Sequence, residues 1–552
     1  MKLKKLLSAL FASGVLAMGT LFGAENVENL PLIPAPRKIA AVPAQSPLKI
    51  SSLTTICADA NSADAAEFLQ KLYKKRFKRS LPIVKSTGGA AAPGSVTITA
   101  GRKENSEAYM LSVTSNSVSI KGESAAGAFY GVCTLDQLFV DGNGANAKTI
   151  PALKISDAPR FAYRGLMIDP ARNFILLEDV KKFVETMARY KFNVLHFHIS
   201  DDQGWRVELK NPKYKKLMTV GAQQNKPKGS TGFYTQKEIK ELVAFAKSLN
   251  VEVVPEIDMP GHSMAAIVPY PELTCEYIRR INEPKNAEEL AQNKKMELKI
   301  WTTEGVSEAL LCAGNPKTYE FYDGVLKEMC ALFPSKMFHI GGDEAPTKAW
   351  ERCKTCQDFM KKKNMSSTSE LMSYFFQRNF EQLGKAGKTA LYWFELDVPK
   401  YPKNAIMYAW RYGLTQQAIN RAIREGYKVI ICAGEYAYLD YPQKPGDPNH
   451  GWMPMTTLEQ SYKLDPGYNR PASEQKSIIG CEGTLWGEYI QTLDRRYYQA
   501  FPRACAVAEA GWSQMERRDW ESFKTRLKPL LIDMENRGIK AYWPEEIYGE
   551  KK

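Results

Sequence analysis

The chain has 552 residues, of which 44% are hydrophobic and 25% charged, as is usual for a soluble globular protein. The length fits one α/β barrel together with a smaller domain. The formal net charge is +14, which could serve acidic polymers such as sulfated or sialylated glycans. No nucleic-acid motif or arginine-rich run accompanies that charge. We therefore expect a basic, solvated surface and no nucleic-acid partner.

The first 24 residues predict a secretory signal peptide. Lys2, Lys4 and Lys5 form a positive n-region, and an apolar stretch runs from Leu6 to about Leu21. No later segment reaches the roughly 18 uninterrupted apolar residues of a membrane span. We expect a protein exported to the periplasm or the medium, without a transmembrane segment.

The ten cysteines are too sparse for a disulfide scaffold in a chain of this length. Cys353-x-x-Cys356 could be a metal pair, but the sequence shows no second pair and no nearby His. A local disulfide or two free thiols are favoured over zinc. Cys275 and Cys312 flank a charged insert and could staple that loop. From these patterns we predict no metal and no cofactor.

Two different sequence patterns divide the rest of the chain into two regions. Residues 25–158 mix short apolar runs such as SVTITAG with helical patterns such as AAEFLQKLYKKRF, which predicts a small α+β domain. It ends at the turn-prone Asp157-Ala158-Pro159. Residues 159–552 alternate apolar runs with helical stretches, the pattern of βαβ units. This part is predicted to be a (β/α)₈ TIM barrel with a C-terminal helical extension.

Eight segments are candidate barrel strands. They are residues 163–169, 193–200, 251–258, 337–343, 389–395, 405–410, 428–433 and 477–486. TIM barrels place their chemistry at the C-terminal ends of the strands. The residues at those ends include Asp169, Arg172, Asp201, His262, Asp343, Glu344, Trp393, Glu395, Trp410, Trp486 and Glu488. Solvated loops would not carry Trp so repeatedly, so we predict an active site on this rim.

Four of the five histidines fall in or just after predicted strands, His450 being the exception. His196 and His198 share one face of a strand, a spacing that can bind zinc. A barrel metallohydrolase would need further ligands from other strands, but strands five to eight supply no His. Buried, hydrogen-bonded histidines are therefore favoured over a metal centre.

Asp343-Glu344 is the sharpest chemical feature. Glycosidic cleavage needs a proton donor for the leaving oxygen, usually a carboxylic acid with a raised pKa. The usual retaining scheme also needs a carboxylate nucleophile on the opposite side of the sugar. Adjacent residues at one strand end are poorly placed to flank the anomeric carbon. We infer that Glu344 is the acid and that Asp343 supports a nucleophile of the substrate, such as a 2-acetamido group.

The sequence resembles glycoside hydrolase family 20, the β-N-acetylhexosaminidases. The resemblance is carried by HIGGDEAP around Asp343-Glu344, by Arg172-Asn-Phe and by the NVLHFHISDDQGWR, PEIDMPGHS, LWGE and FPRACAVAEAGWS segments. It extends from about residue 28 onward. It implies an exo-acting, retaining enzyme that releases terminal GlcNAc or GalNAc through an oxazolinium intermediate. The choice between these sugars and the oligomeric state stay open.

The resemblance also implies a role for each matching residue. Glu344 would be the general acid/base, and Asp343 would orient the acetamido N–H and stabilise the oxazolinium ion. Asp201 would orient His262, which would contact the acid. The other implied substrate-binding residues are Arg172 on O3 and O4, Trp393, Trp410 and Trp486 around the acetamido methyl, Tyr438 on the acetamido oxygen with Asp440 beside it, and Glu488 on O4 or O6.

Two other classes of function are weaker alternatives. A metal-dependent barrel hydrolase would lose activity in a chelator. A catalytically dead glycan-binding protein would keep the tryptophans but lose Asp343 or Glu344, and both acids are present.

Overall fold

The computed structural model describes residues 27–86, 91–223, 231–279, 298–302, 305–396, 398–448 and 451–551. The predicted signal peptide and His450 lie outside the described residues. Within this part of the chain, no helix is long and apolar enough to cross a membrane. The described residues form two compact units, one within Met1–Ala158 and Gln514–Asp533, the other within Pro159–Ser513 and Met534–Lys552.

The first unit contains a seven-stranded mixed sheet in the order β1-β9-β6-β7-β5-β3-β4 and a small antiparallel pair, β2 with β8. The strands are β1 Lys38–Ala41, β2 Leu48–Lys49, β3 Thr55–Ala58, β4 Ile83–Lys85, β5 Ser95–Ala100, β6 Tyr109–Val113, β7 Val118–Gly122, β8 Thr149–Ile150 and β9 Leu153–Asp157. The helices Ala63–Phe77 and Ala125–Leu138 belong to the same unit, and Phe68 stacks on Phe129 between them with ring centroids 5.0 Å apart.

Residues 514–533 belong to this first unit, whereas the sequence-based division placed them with the barrel. They include most of the helix Trp520–Asn536. Buried polar contacts explain the assignment, since Arg76 Nη1 lies 2.8 Å from Asp533 Oδ1 and Arg526 donates to the Leu32 carbonyl at 2.5 Å. Contacts of this kind join residues far apart in sequence, so no local pattern reports them.

The second unit is a closed barrel of eight parallel strands, which confirms the predicted TIM barrel. The strands are β10 Tyr163–Ile168, β11 Val194–His198, β14 Glu252–Glu256, β15 Met337–His339, β16 Thr389–Trp393, β17 Ile406–Ala409, β18 Lys428–Ile431 and β19 Ile478–Gly483. A separate hairpin, β12 Ser200–Asp201 with β13 Gly204–Trp205, follows β11. Each barrel strand falls within a predicted segment but ends earlier, because the chain leaves the ladder where the rim side chains begin.

Helices connect the barrel strands and follow the last of them. The longer ones are Leu177–Arg189, Gln236–Ser248, Pro316–Leu332, Lys354–Lys362, Thr368–Lys385, Thr415–Glu425, Leu493–Ala500 and Arg503–Trp512. The shorter ones are Met264–Ile267, Glu276–Arg279, Lys348–Arg352, Gly434–Ala437, Leu458–Tyr462, Ala472–Gln475 and Glu545–Tyr548. Local sequence sets their starts: Thr235 and Glu238 form a capping box at Gln236–Ser248.

The barrel interior is partly polar. Glu256 accepts from the Trp393 indole at 2.8 Å and lies 2.8 Å from His339 Nδ1. His196 Nδ1 contacts Glu482 at 2.8 Å. These side chains are fully buried, in agreement with the predicted hydrogen-bonded histidines. Such a network holds in place the barrel interior below the active-site rim, because buried polar groups with partners resist displacement.

Candidate active site

A cleft of about 670 Å³ opens at the C-terminal ends of the barrel strands. Its lining brings together most of the predicted site residues. They are Arg172, His262, Asp343, Glu344, Trp410, Tyr438, Asp440, Trp486 and Glu488. Polar and aromatic walls in one concave site are typical of a small-ligand pocket.

The turn that carries the acid pair is conformationally unusual. Gly341 and Gly342 follow β15 with φ of 68° and 100°, and Glu344 has φ of 50°. A side chain at Gly341 would collide with Asp258, because its Cβ would lie 1.7 Å from Asp258 Oδ1. His262 also has a positive φ, of 49°. Strain of this kind is tolerated where the surroundings over-determine the backbone, often at functional sites.

Both carboxylates of the pair face the same imidazole nitrogen. His262 Nε2 lies 3.6 Å from Glu344 Oε2 and 3.8 Å from Asp343 Oδ2. Asp343 is largely buried, whereas the Glu344 side chain is 36% exposed. The two acids therefore approach the cleft from one side, rather than from the two faces of a bound sugar.

Asp201 connects the imidazole to the rest of the rim. One oxygen lies 3.0 Å from His262 Nδ1. The other lies 2.8 Å from His198 Nε2 and 2.9 Å from Arg172 Nη1. Burial alone would raise the pKa of Asp201, but Arg172 and His262 hold that pKa well below its usual range. Asp201 is therefore a permanent anion that orients three cationic or imidazole partners.

Through His262, the charge on Asp201 affects the pKa values of the acid pair. Burial disfavours the imidazolium, but Asp201 raises the pKa of His262 well above its ordinary value. Burial raises the pKa of Asp343, although His262 opposes this shift.

The free site does not give Glu344 the raised pKa expected from the sequence. Burial raises this pKa, but the nearby charges of His262, Arg411 and Arg172 outweigh burial and lower it. The expectation of a raised pKa came from the general need for a proton donor and took no account of these three cations.

Arg172 also lines the cleft. Its Nε is 3.9 Å from Glu488 Oε1, and its guanidinium stacks over the Trp486 ring at 4.8 Å. Asp169, at the end of β10, holds the same guanidinium at 3.2 Å. The arginine is thus fixed by its neighbours before any ligand arrives.

The aromatic residues take two different positions. Trp410, Tyr438 and Trp486 line the cleft, and the Trp410 and Tyr438 rings are nearly parallel, at 16°. Trp393 is fully buried beneath them, with its centroid 5.6 Å from that of Trp486. The structure therefore places Trp393 under the predicted aromatic wall rather than in its exposed face.

Two further residues contribute to the site: Arg411, which the sequence analysis missed, and Glu395, which it placed on the rim without a role. Arg411 lines the cleft, and its Nε donates to Glu395 at 2.6 Å. Glu395 also accepts the backbone N–H of Glu344 at 3.1 Å. The ion pair thereby holds the turn that carries the acid. In the sequence, the only indications of this ion pair were an acidic residue at the end of strand five and an arginine directly after Trp410.

Several buried polar atoms that face the cleft have no hydrogen-bond partner among the described residues. They are Arg172 Nε, His262 Nε2, Asp343 Oδ1 and both carboxylate oxygens of Asp440. Buried polar groups in proteins are almost always paired. A concentration of unpaired ones in one cleft indicates a site built for a ligand rich in hydroxyl and amide groups.

A TIM barrel with an acid pair after strand four, aromatic walls and hydroxyl-binding groups defines a glycosidase. The comparisons with known proteins agree. Residues 161–515 match the glycosyl hydrolase family 20 catalytic domain, and residues 29–158 match domain 2 of the same family. The chain belongs to glycosyl hydrolase family 20, which confirms the predicted family and class of enzyme.

Individual relatives are similar over most of their length. A beta-hexosaminidase of Akkermansia muciniphila is 40% identical over 425 residues, covering 76% of this chain and 82% of the relative. The structure of a mutant Streptomyces plicatus beta-hexosaminidase in complex with product GlcNAc has a TM-score of 0.80 at 29% identity, covering 96% of this chain and 99% of that one. An exo beta-N-acetylglucosaminidase from Vibrio harveyi, in complex with N-acetylglucosamine, has a TM-score of 0.79 at 31% identity, covering 94% and 79%.

Proposed function

We propose that the protein is an exo-acting, retaining β-N-acetylhexosaminidase that uses the 2-acetamido group of its substrate as the nucleophile. One observation carries the proposal: Asp343 and Glu344 face the same His262 nitrogen. An enzyme nucleophile would have to oppose the acid across the sugar ring. With both acids on one side, the substrate itself is the natural source of the attacking atom.

In the first step, Glu344 gives its proton to the glycosidic oxygen while the acetamido oxygen attacks the anomeric carbon. The bond to the leaving group breaks, and an oxazolinium ion forms. The Asp343 carboxylate accepts the acetamido N–H and balances the positive charge that develops there. Asp343 is buried, so this electrostatic stabilisation acts in a site of low dielectric.

In the second step, the Glu344 carboxylate takes a proton from water as the water attacks the anomeric carbon. The ring of the oxazolinium opens, and the acetamido group is restored. Two displacements at the same carbon give net retention. The lowered pKa of Glu344 in the free site favours the carboxylate needed here. Sugar binding would displace water and add to the burial that raises the pKa of Glu344, which favours the acid needed for the first step.

The remaining site residues would bind the sugar. Arg172, Asp440 and Glu488 offer charged groups for ring hydroxyls, and Trp410, Tyr438 and Trp486 offer faces for the acetamido methyl and the ring. Burial raises the pKa of Asp440, and Glu488 adds to the shift. A sugar hydroxyl can pair with such a group in either protonation state.

We further propose that the enzyme is exported, to the periplasm or the medium, after removal of the first 24 residues. The basic n-region and the apolar stretch that follows it support this. The glycan substrates would then lie outside the cytoplasm.

A panel of aryl β-glycosides tests the substrate class. We expect rapid hydrolysis of the 2-acetamido sugars, GlcNAc and GalNAc, and almost none of the matching glucoside and galactoside, which lack the internal nucleophile. The released sugar should appear first as the β-anomer by NMR. Comparable rates on the glucoside would contradict the proposal.

His262 is expected to act on Glu344 through its charge. Because the imidazolium lowers the pKa of Glu344, His262→Asn should raise that pKa. The limb of the kcat/KM profile that reports ionisation of Glu344 should then move to higher pH, with a lower maximum rate. Asp201→Asn leaves the imidazole in place and should produce a smaller shift in the same direction. A pH profile that superimposes on that of the parent enzyme would show that His262 does not affect the pKa of Glu344.

A further inference from the structure

Four cysteines from distant parts of the sequence meet in the barrel unit. Cys275, Cys312, Cys353 and Cys356 are all buried, and their sulfur atoms all lie within 4.8 Å of one another. Cys312 Sγ is 3.5 Å from Cys356 Sγ and 3.8 Å from Cys353 Sγ. The second pair that the sequence analysis did not find beside Cys353 and Cys356 is therefore supplied by the fold.

We propose that these four cysteines bind one structural Zn²⁺ ion as thiolates. In a tetrahedral Cys₄ site the Zn–S distance is about 2.3 Å, which places the sulfurs about 3.8 Å apart. The separations of 3.5 and 3.8 Å fit that geometry. A disulfide joins only two sulfurs, at about 2.05 Å. Disulfides would not require all four sulfurs to converge on one point.

The backbone around the four cysteines favours thiolates and lets the two cysteine-bearing loops pack closely together. Cys353 is the N-cap of the helix Lys354–Lys362, and the positive end of a helix dipole favours thiolates nearby. Gly314 packs against the same turn, because a Cβ at this position would lie 2.6 Å from Cys356 Cα. Only glycine therefore lets the loop after Cys312 reach the Cys353-x-x-Cys356 turn.

The cluster lies outside the cleft, since none of its cysteines is among the lining residues. Four protein ligands leave no open coordination position, as is typical of structural rather than catalytic zinc. The proposed ion therefore takes no part in the reaction, and the predicted metal-independent chemistry is unaffected. The prediction that the chain binds no metal is replaced by this proposal.

The ion would fasten two loops of the rim. Cys275 and Cys312 stand at the base of an insert, where Thr274 bridges Leu311 and Cys312 N–H donates to the Leu273 carbonyl at 2.7 Å. Cys353 follows Glu344 by nine residues. Gly305 and Val306, within the insert, line the cleft. Zinc would thus tie one wall of the cleft to the segment that carries the acid.

Metal analysis of the folded, mature enzyme tests the proposal directly. Protein produced with zinc available and dialysed against metal-free buffer should contain about one zinc ion per chain by mass spectrometry. Titration with an organomercurial reagent should release that zinc as four thiols react. The proposal would be overturned by zinc-free protein, by stoichiometric iron in its place, or by two disulfides among these cysteines in an unreduced peptide map.

Variants locate the ion. Cys353→Ser with Cys356→Ser should lose the bound zinc and lower Tm, whereas the matched change Cys330→Ser, at a half-buried cysteine outside the cluster, should retain it. If the double variant does not fold, the organomercurial titration of the parent protein still shows whether cysteine thiolates hold the zinc. Full zinc content in a folded double variant would place the ion elsewhere and refute the assignment.

Discussion

Replacing Asp343 with Asn should lower kcat by about 10²–10³-fold while changing KM far less. A preorganised group that stabilises transition-state charge is worth about that much. Asn keeps the size of the side chain but removes its negative charge, and its amide can turn a donor toward the acetamido N–H. The loss should appear in the first chemical step, when the oxazolinium charge develops. Presteady-state measurement of aryl-group release would isolate that step.

The matched control is Asp64→Asn. Asp64 is an exposed aspartate in the helix Ala63–Phe77 of the other unit, and its replacement should leave kcat and KM unchanged. An Asp343→Asn enzyme that loses substrate binding but keeps its chemical rate would show that Asp343 binds the ground state instead.

Replacing Glu344 with Gln should produce a loss that depends on the leaving group. General acid catalysis contributes about 10²–10⁴-fold, and Gln cannot supply the proton. Substrates with poor leaving groups, such as disaccharides, should lose nearly all of that factor. Substrates with acidic phenols need little protonation, and their first step should be much less affected. A plot of log(kcat/KM) against leaving-group pKa should therefore be steeper for the variant than for the parent enzyme.

Glu320→Gln is the matched control, because the Glu320 side chain is 73% exposed and pairs only with Lys213 among the described residues. It should leave the leaving-group dependence unchanged. An equal loss across all leaving groups in Glu344→Gln would assign Glu344 an electrostatic or structural role rather than proton transfer.

Sequence alone predicted the parts of this fold that depend on local pattern. The eight barrel strands follow from apolar runs, and the position of Asp343 and Glu344 follows from the rule that barrel chemistry lies at strand ends. The strands were predicted too long at their C-terminal ends because the predicted segments included rim residues such as Asp169, Asp343 and Trp486, which follow the last paired residue of each strand. Hydropathy does not distinguish a ligand-facing tryptophan from a buried one.

What the sequence could not supply depends on tertiary contacts. The pKa of Glu344 is raised by burial and lowered more strongly by His262, Arg411 and Arg172, which follow different strands. The Cys275 and Cys312 pair joins Cys353 and Cys356 only when two rim loops fold together. The Glu395–Arg411 ion pair likewise joins neighbouring strands. Predicting each of these features requires the distances between side chains in the folded protein, which the spacing of residues along the sequence does not give.

In the proposed mechanism the acetamido oxygen of the substrate is the nucleophile. The decisive measurement is kcat/KM for aryl GlcNAc derivatives whose acetyl group carries increasing numbers of fluorine atoms. Fluorine withdraws electrons from the carbonyl oxygen, so each addition should slow the reaction steeply, with little change in the protein's contacts. Rates that do not depend on fluorination, or a sugar ester trapped on any carboxylate of the enzyme, would contradict the mechanism.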